Sequence, residues 1–428
     1  MALGMCIDDE LSPAVQEQVS RQGTRLHGFE KARDSLADFG YDFNAKRVER
    51  LTERIGAERV AERDAVVEGY LGLTLMERCE GPKGVSAPDA VSVGEDGGRL
   101  QTTIASEKGT HWHQYMAADL RVIESQDLAD DPAPDLPEIF RDPEQMGKLV
   151  SGISHKIAGT DAPDDPDEAQ RNHALESRET DALLAENPSK KDTTTAGRRI
   201  NQPETVSREV LASRKLSAPQ FGVLMAAYAW SMGFFQAQRK GFVGDGSSAN
   251  WEIWETHFKP HDFVPILDFI HASTYVYNAA MAGRTAADGW QVYQRWITWV
   301  WQGRVNDVIA ELQARQLELG PPLRDHAETA PRNVVAKSLT YLQNQCTRMD
   351  YPEYRRKGLA ITSCHIESTV KQLNYRVKGS EMFWTDEGAE ALLQLSADLL
   401  SDSRPLDTFW DRRAAQMTGC RPYTNSKT

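Results

Sequence analysis

With 428 residues, 40% of them apolar and 26% charged, the chain has room for two or three domains and at least one large core. Its five cysteines, Cys6, Cys79, Cys346, Cys364 and Cys420, lie far apart with no CxxC pair, which argues against a zinc ribbon or a disulfide framework and for a reducing cytoplasm. The net charge of −14 disfavours nucleic-acid binding by the chain as a whole, but residues 101–200 carry 11 Lys+Arg against 20 Asp+Glu, while residues 331–428 carry 14 against 11.

In chain order, residues 1–84 read as a helical region. "DFNAKRVERLTERIGAERVAERDAVVEGYL" spaces Val48, Leu51, Ile55, Val60 and Val66 among charges, with Asn44 as N-cap. Two or three short amphipathic helices would suit a helix-turn-helix-like module or a helical support for the next domain. Within residues 85–124, "DAVSVGEDGGRLQTTI" reads as strand, Gly-rich turn, strand, and "HWHQYMAADLRVIES" as a further strand. Residues 125–205 are rich in Asp, Pro, Ser and Thr and read as an acidic, loop-rich or partly disordered insertion.

Residues 206–271 resume order. "LSAPQFGVLMAAYAWSMGFFQAQRKG" is a buried helix, too short to span a bilayer, with Ser217 capping, Pro219 in the first turn and Gly241 past its end. "FVGDGS" is a short strand ending in a turn, and "FVPILDFIHA" suits a buried central strand. Residues 272–350 look helical, with Trp290, Trp296, Trp299 and Trp301 as a bundle core. In residues 351–428, the helix opening at "SCHIESTVKQLNYRV" places Ile366, Val370, Leu373 and Val377 on one stripe, beside a polar line of Glu367, Lys371, Asn374 and Lys378. The whole reads as an α/β core interrupted by insertions. No secretory signal is visible at the start.

Three acids occupy suggestive places: Asp96 in the expected turn after the first strand, Asp245 at a strand end, and Glu367 near the start of a late helix. Each alone has a dull reading, since "DG" is a common turn pair and Glu367 could simply pair with Lys371. Together they suit two-metal phosphodiester chemistry, which needs hard oxygen ligands from separate elements around two ions about 3.5–4 Å apart. Asp268 and His271 in "LDFIHA" are either part of such a site or a plain strand-to-helix junction.

The blocks "FVGDGSSANWEIWETHF", "PILDFIHASTYVYNAA" and "YRRKGLAITSCHIESTVKQLNYRVKGSEMFWTDEGAEALLQL", with "VEGYLGLTL" and "AVSVGEDGGRLQTT" upstream, closely resemble in their order the ISKra-type bacterial insertion-sequence transposases, DDE enzymes of the Mutator-like lineage. The resemblance spans about 45–125 and 205–415. It implies a ribonuclease H-like core with an all-helical insertion before the last acid. Asp96, Asp245 and Glu367 match the catalytic, metal-binding acids of two Mg²⁺ or Mn²⁺ ions. Asp268 and His271 match the signature that follows the second acid. Lys371, Arg376 and Lys378 would hold DNA phosphates, and Trp384 would stack on an unpaired base or else lie in the core. Cys364 and His365 stand where the family has small residues before its glutamate. The implied activity is cleavage and 3′-hydroxyl strand transfer at terminal repeats of a mobile element. The expected partners are double-stranded DNA and further copies of the chain, with no membrane, in a bacterial cytoplasm at the nucleoid. Two alternatives stay open: a domesticated relative that binds DNA or protein without cutting, and a stand-alone nuclease.

Overall fold

The structure, a computed structural model, describes residues 11–106, 109–147, 149–150, 202–323, 328–379 and 381–416. Most of the acidic insertion read over 125–205 therefore lies outside the described residues, as do Cys6 and Cys420.

Six strands form one mixed sheet: β1 (Ala90–Thr102), β2 (Trp112–Glu124), β3 (Glu204–Ser213), β4 (Arg239–Gly244), β5 (Val264–Leu267) and β6 (Phe383–Trp384). Their order is β3-β2-β1-β4-β5, with β6 pairing the far end of β1. The pairs β1–β2 and β2–β3 are antiparallel, whereas β1–β4, β4–β5 and β1–β6 are parallel. The fold is thus α/β with a mixed sheet.

The helices include α1 (Pro13–Arg25), α2 (Phe29–Asp38), α3 (Ala45–Leu71), α4 (Leu75–Glu80), α5 (Ala218–Ser231), α6 (Ser248–Ile253), α7 (Phe269–Met281), α8 (Ala286–Trp301), α9 (Val305–Leu319), α10 (Pro331–Gln345), α11 (Tyr351–Arg356), α12 (Cys364–Val377), α13 (Asp386–Leu400) and α14 (Pro405–Ala415). Strand alternation sorts side chains to two faces. Val91, Val93, Ala118, Leu120 and Leu211 pack with α5, α7 and the helical bundle. Leu100, Tyr115, Ala117, Val210 and Ala212 pack with Ile366, Val370, Leu373 and Val377 of α12 and with α13. The apolar stripe read on α12 is therefore the buried one. A third cluster joins Val19, Ala32, Leu36, Val48, Leu51 and Ile55 of α1–α3 to Leu395, Leu406, Phe409 and Trp410 of α13 and α14.

Several expectations need correction. β1 runs unbroken through "GEDGGR", so Asp96 lies inside a strand and not in a turn. Neither Gly97 nor Gly98 takes a positive φ. They serve close approach instead: a Cβ on Gly97 would sit 2.4 Å from Gln114 Nε2, and one on Gly98 2.1 Å from Tyr115 Cζ. α3 is a single 27-residue helix where several short ones were expected, capped as predicted by Asn44 Oδ1 accepting from the Arg47 N–H at 2.8 Å. Ser217 caps α5 with Gln220 in a capping box, but the helix stops at Ser231 and Gly241 belongs to β4.

β5 is an edge strand of the sheet, not a central one. Its apolar run is still buried because the chain after α10 covers the edge: Tyr351 Oη donates to Leu267 O at 3.0 Å, and the Phe269 N–H to Ile361 O at 3.0 Å. The first part of the acidic insertion is also packed. Leu136, Phe140, Met146 and Val150 are buried, and Asp131 is gripped by Arg355 Nε at 2.9 Å. Apolar anchors scattered among prolines and aspartates outweigh a composition that suggests disorder. α7–α10 form the helical segment expected before the last acid, with Trp296 and Trp301 buried and Trp290 and Trp299 packed against them. Among the described residues, no helix is long and apolar enough to cross a membrane.

Candidate active site

Sheet register brings the strand-borne acids to one level. β1 pairs β4 with Gly94 opposite Val243, and β4 pairs β5 with Gly244 opposite Leu267. Counting onward along the parallel strands, Asp96, Asp245 and Asp268 fall side by side at the carboxyl ends of β4 and β5, the usual edge for ligands in such sheets. Alternation turns Asp96 to the α12 face, the same face as Gly94, against which Ile366 packs.

Local bonding fixes each group. Asp245 Oδ1 accepts from the Ser247 N–H at 2.8 Å and from Asn250 Nδ2 at 3.2 Å. Asp268 caps α7 and is fully buried. Its Oδ1 accepts from the N–H groups of Ile270 (3.1 Å) and Ser363 (3.3 Å), and its Oδ2 from Ser363 Oγ (2.9 Å) and faces His271 Nδ1 at 2.6 Å. Both Asp268 oxygens are thus occupied, which leaves Nε2 as the nitrogen of His271 able to meet another group. Glu367 lies in the first turn of α12, its N–H bonded to Ser363 O at 3.1 Å. One donor atom each from Asp268, His271 and Glu367 lies within 4.8 Å of the others. Asp96 Oδ1 accepts from the Gly97 N–H at 2.7 Å.

The electrostatics follow from that crowding. Burial alone would lower the His271 pKa, but the hydrogen bond and charge of Asp268, then Asp245 and Glu367, raise it to about 9. His271 is therefore an imidazolium among carboxylates at neutral pH. Burial, reinforced by Asp245 and Asp96, lifts Glu95 to about 8. Cys364 is raised to about 11, chiefly by burial, and stays a thiol. His365 is held down at about 3 by burial, then by Arg121 and Arg208. Cys364 and His365 occupy the first two positions of α12 and leave Glu367 in its first turn.

The expected phosphate contacts divide. Lys371 is exposed on α12, and Lys378 is half-buried with its ammonium 5.5 Å from the Trp112 ring centre. Arg376 is a correction: it is buried, donates from Nε to Gly23 O at 2.9 Å, and lies over the Phe29 and Trp384 rings. Trp384 is likewise core, its Nε1 donating to Val377 O at 2.8 Å. Both fasten α12 to the N-terminal helices, so neither can meet DNA. Sequence reasoning weighed Glu95 only as an alternative to Asp96 for the first ligand, and passed over Asn250 and Ser363. "DGSSAN" did hold a signal for Asn250, since Ser247 caps α6 and Asn250 stands three residues on. No known family model matches the chain, and no curated protein matches it significantly.

Proposed function

We propose that the chain is a metal-dependent DNA transposase of the DDE type, cleaving at the terminal repeats of its own mobile element and joining the freed 3′-hydroxyl to target DNA. The observation that carries this reading is the meeting of Asp96, Asp245 and the Asp268–His271 pair at one level of three parallel strands, with Glu367 on the helix packed against the first. Three antiparallel strands continued by two parallel ones on the other side of β1 also suit the ribonuclease H-like core that the resemblance implies.

The donor chemistry fits Mg²⁺ or Mn²⁺. Asp96, Asp245 and Glu367 offer hard carboxylate oxygens, and the one neighbouring thiol, Cys364, is kept protonated. Bound there, the ions would supply charge stabilisation for the attacking and leaving oxygens of an in-line displacement. Asp268 acts one step back, fixing the His271 ring and its charge. His271 offsets the carboxylates before the cations arrive. Lys371 on α12 and Lys378 just past its C-terminal end suit phosphate contacts that position the duplex.

The test begins by reading the DNA on either side of the gene for inverted repeats, and is a cleavage and strand-transfer assay on DNA carrying them. Wild type with Mg²⁺ should give nicked and joined products, and Asp245→Ala none. Equal product from both sinks the proposal. Binding without any product favours the non-cutting relative, and cutting indifferent to the repeats favours a general nuclease.

A further inference from the structure

The turn carrying Asp245 is held from outside the sheet. Tyr341 Oη, on α10, donates to the Asp245 carbonyl oxygen at 2.7 Å, and Gln345 Nε2 to that of Gly246 at 3.1 Å. Gly246 has φ +97°, and a Cβ there would sit 2.8 Å from the Tyr341 ring, so the aromatic ring occupies the space a side chain would take. Tyr341 is itself stacked on Tyr275 of α7, with centroids 3.7 Å apart and planes at 11°. Arg348 completes the grip: it donates to Gln345 Oε1 at 2.8 Å and lies 4.3 Å from the ring centre of Trp251 on α6. Tyr341 and Gln345 are four residues apart, a spacing that sets one face of α10 against the turn, and Arg348 ends the 3-10 turn that follows the helix.

We propose that Tyr341 and Gln345 are positioning residues through which the helical segment sets the Asp245 carboxylate for metal binding. The proposal rests on the metal-site reading above. With both carbonyls pinned, the peptide planes of the turn cannot rotate, and Oδ1 stays where the Ser247 N–H and Asn250 hold it. A helix 96 residues away in sequence thus decides whether the second acid is in place before any cation binds. Freed carbonyls would let the turn swing, and each ion would have to recruit Asp245 at its own expense.

The experiment is a Mn²⁺ titration of the full chain without DNA, followed by electron paramagnetic resonance, on wild type, Tyr341→Phe, Gln345→Ala and Asp245→Ala. Tyr341→Phe and Gln345→Ala should each raise the half-saturating Mn²⁺ concentration about tenfold, the size expected when a group supporting a metal ligand is lost. Circular dichroism should show both folded. Their cleavage rate should recover at saturating metal, which separates placement of the acid from a smaller folded fraction. Wild-type titrations for both variants, with Asp245→Ala unable to bind, overturn this inference alone. If Asp245→Ala binds Mn²⁺ like wild type, the metal-site reading falls and this inference with it.

Discussion

Where α3 crosses α13, Glu390 accepts from Arg63 Nη1 at 2.8 Å, Ser213 Oγ at 2.7 Å, and the N–H groups of Arg214 and Lys215 at 2.7 and 3.0 Å. Asp398 beside it is held by Arg59 Nε at 2.8 Å and Gln394 at 2.8 Å. At the ends of β4 and β5, by contrast, Asp245, Asp268 and Glu367 gather around His271, and Glu95 and Asp96, inside β1, stand beside Asp245. The seam neutralises its charges with fixed guanidinium groups, and folding completes it. The strand ends gather negative charge beyond what one imidazolium offsets, an arrangement suited to receiving cations. The same residue type therefore serves cohesion in one place and, on the proposed reading, chemistry in the other, and the arginines make the difference.

Substitutions in the two regions should have opposite signatures. Asp245→Asn should abolish strand cleavage while leaving the denaturation midpoint unchanged or slightly raised, because it removes like-charge repulsion. A large fall in the midpoint would break the contrast. Arg63→Met should do the reverse, costing about 3–5 kcal/mol because Glu390 stays buried without its cation. Urea denaturation measures this, and a loss below about 1 kcal/mol would mean that the seam is not held by charge.

Mg²⁺ at a hundredfold excess over its dissociation constant should stabilise wild type by about 2.7 kcal/mol. Arg63→Met should keep that increment and Asp245→Asn should lose it, as read from melting with and without the ion.

A separate contrast concerns pH. Glu95 is raised to about 8, and Glu209, a β3 residue near Asp398 and Arg59 of the seam, to about 7, both chiefly by burial. For each, the folded form holds its proton more tightly than the unfolded chain, whose carboxyl titrates near 4.3. The stability so gained is complete below that value and is lost as pH rises through the folded pKa. Metal-free wild type should therefore weaken from about pH 4 to pH 8. Glu209→Gln should flatten the part up to about 7 and Glu95→Gln the part extending to about 8, as read from denaturation midpoints at each pH.

Much of this was legible in sequence where residue type and spacing carry the physics. The stripe Ile366, Val370, Leu373 and Val377 is buried as its 4, 3, 4 spacing requires, and the Asp268–His271 spacing gives a capping carboxylate that holds a ring one turn on. What stayed hidden depends on segments that approach from far along the chain. Arg376 has the composition of a surface cation, but Gly23 arrives from 353 residues away to accept its Nε–H, and Phe29 and Trp384 enclose it. Gly97 and Gly98 have turn chemistry, yet their purpose is to admit Gln114 and Tyr115 from the facing strand. Glu95 is neighbour to an acid in sequence, and only strand alternation together with the approach of β4 shows the environment that raises its pKa.

The seam also sets an order of events during synthesis. Arg59 and Asp398 are 339 residues apart, so at about 5–20 residues per second α3 waits roughly 20–70 s for its partner. Throughout that interval Arg59 and Arg63 lack Asp398 and Glu390, and the apolar stripe of α3, already packed on α1 and α2, lacks the part of its cluster that α13 and α14 supply. α12, which brings Glu367 to the acids, is translated shortly before α13. A nascent chain interrupted ahead of residue 364 therefore lacks both the last acid and the closing layer, and this centre cannot assemble until translation has passed α12 and α13.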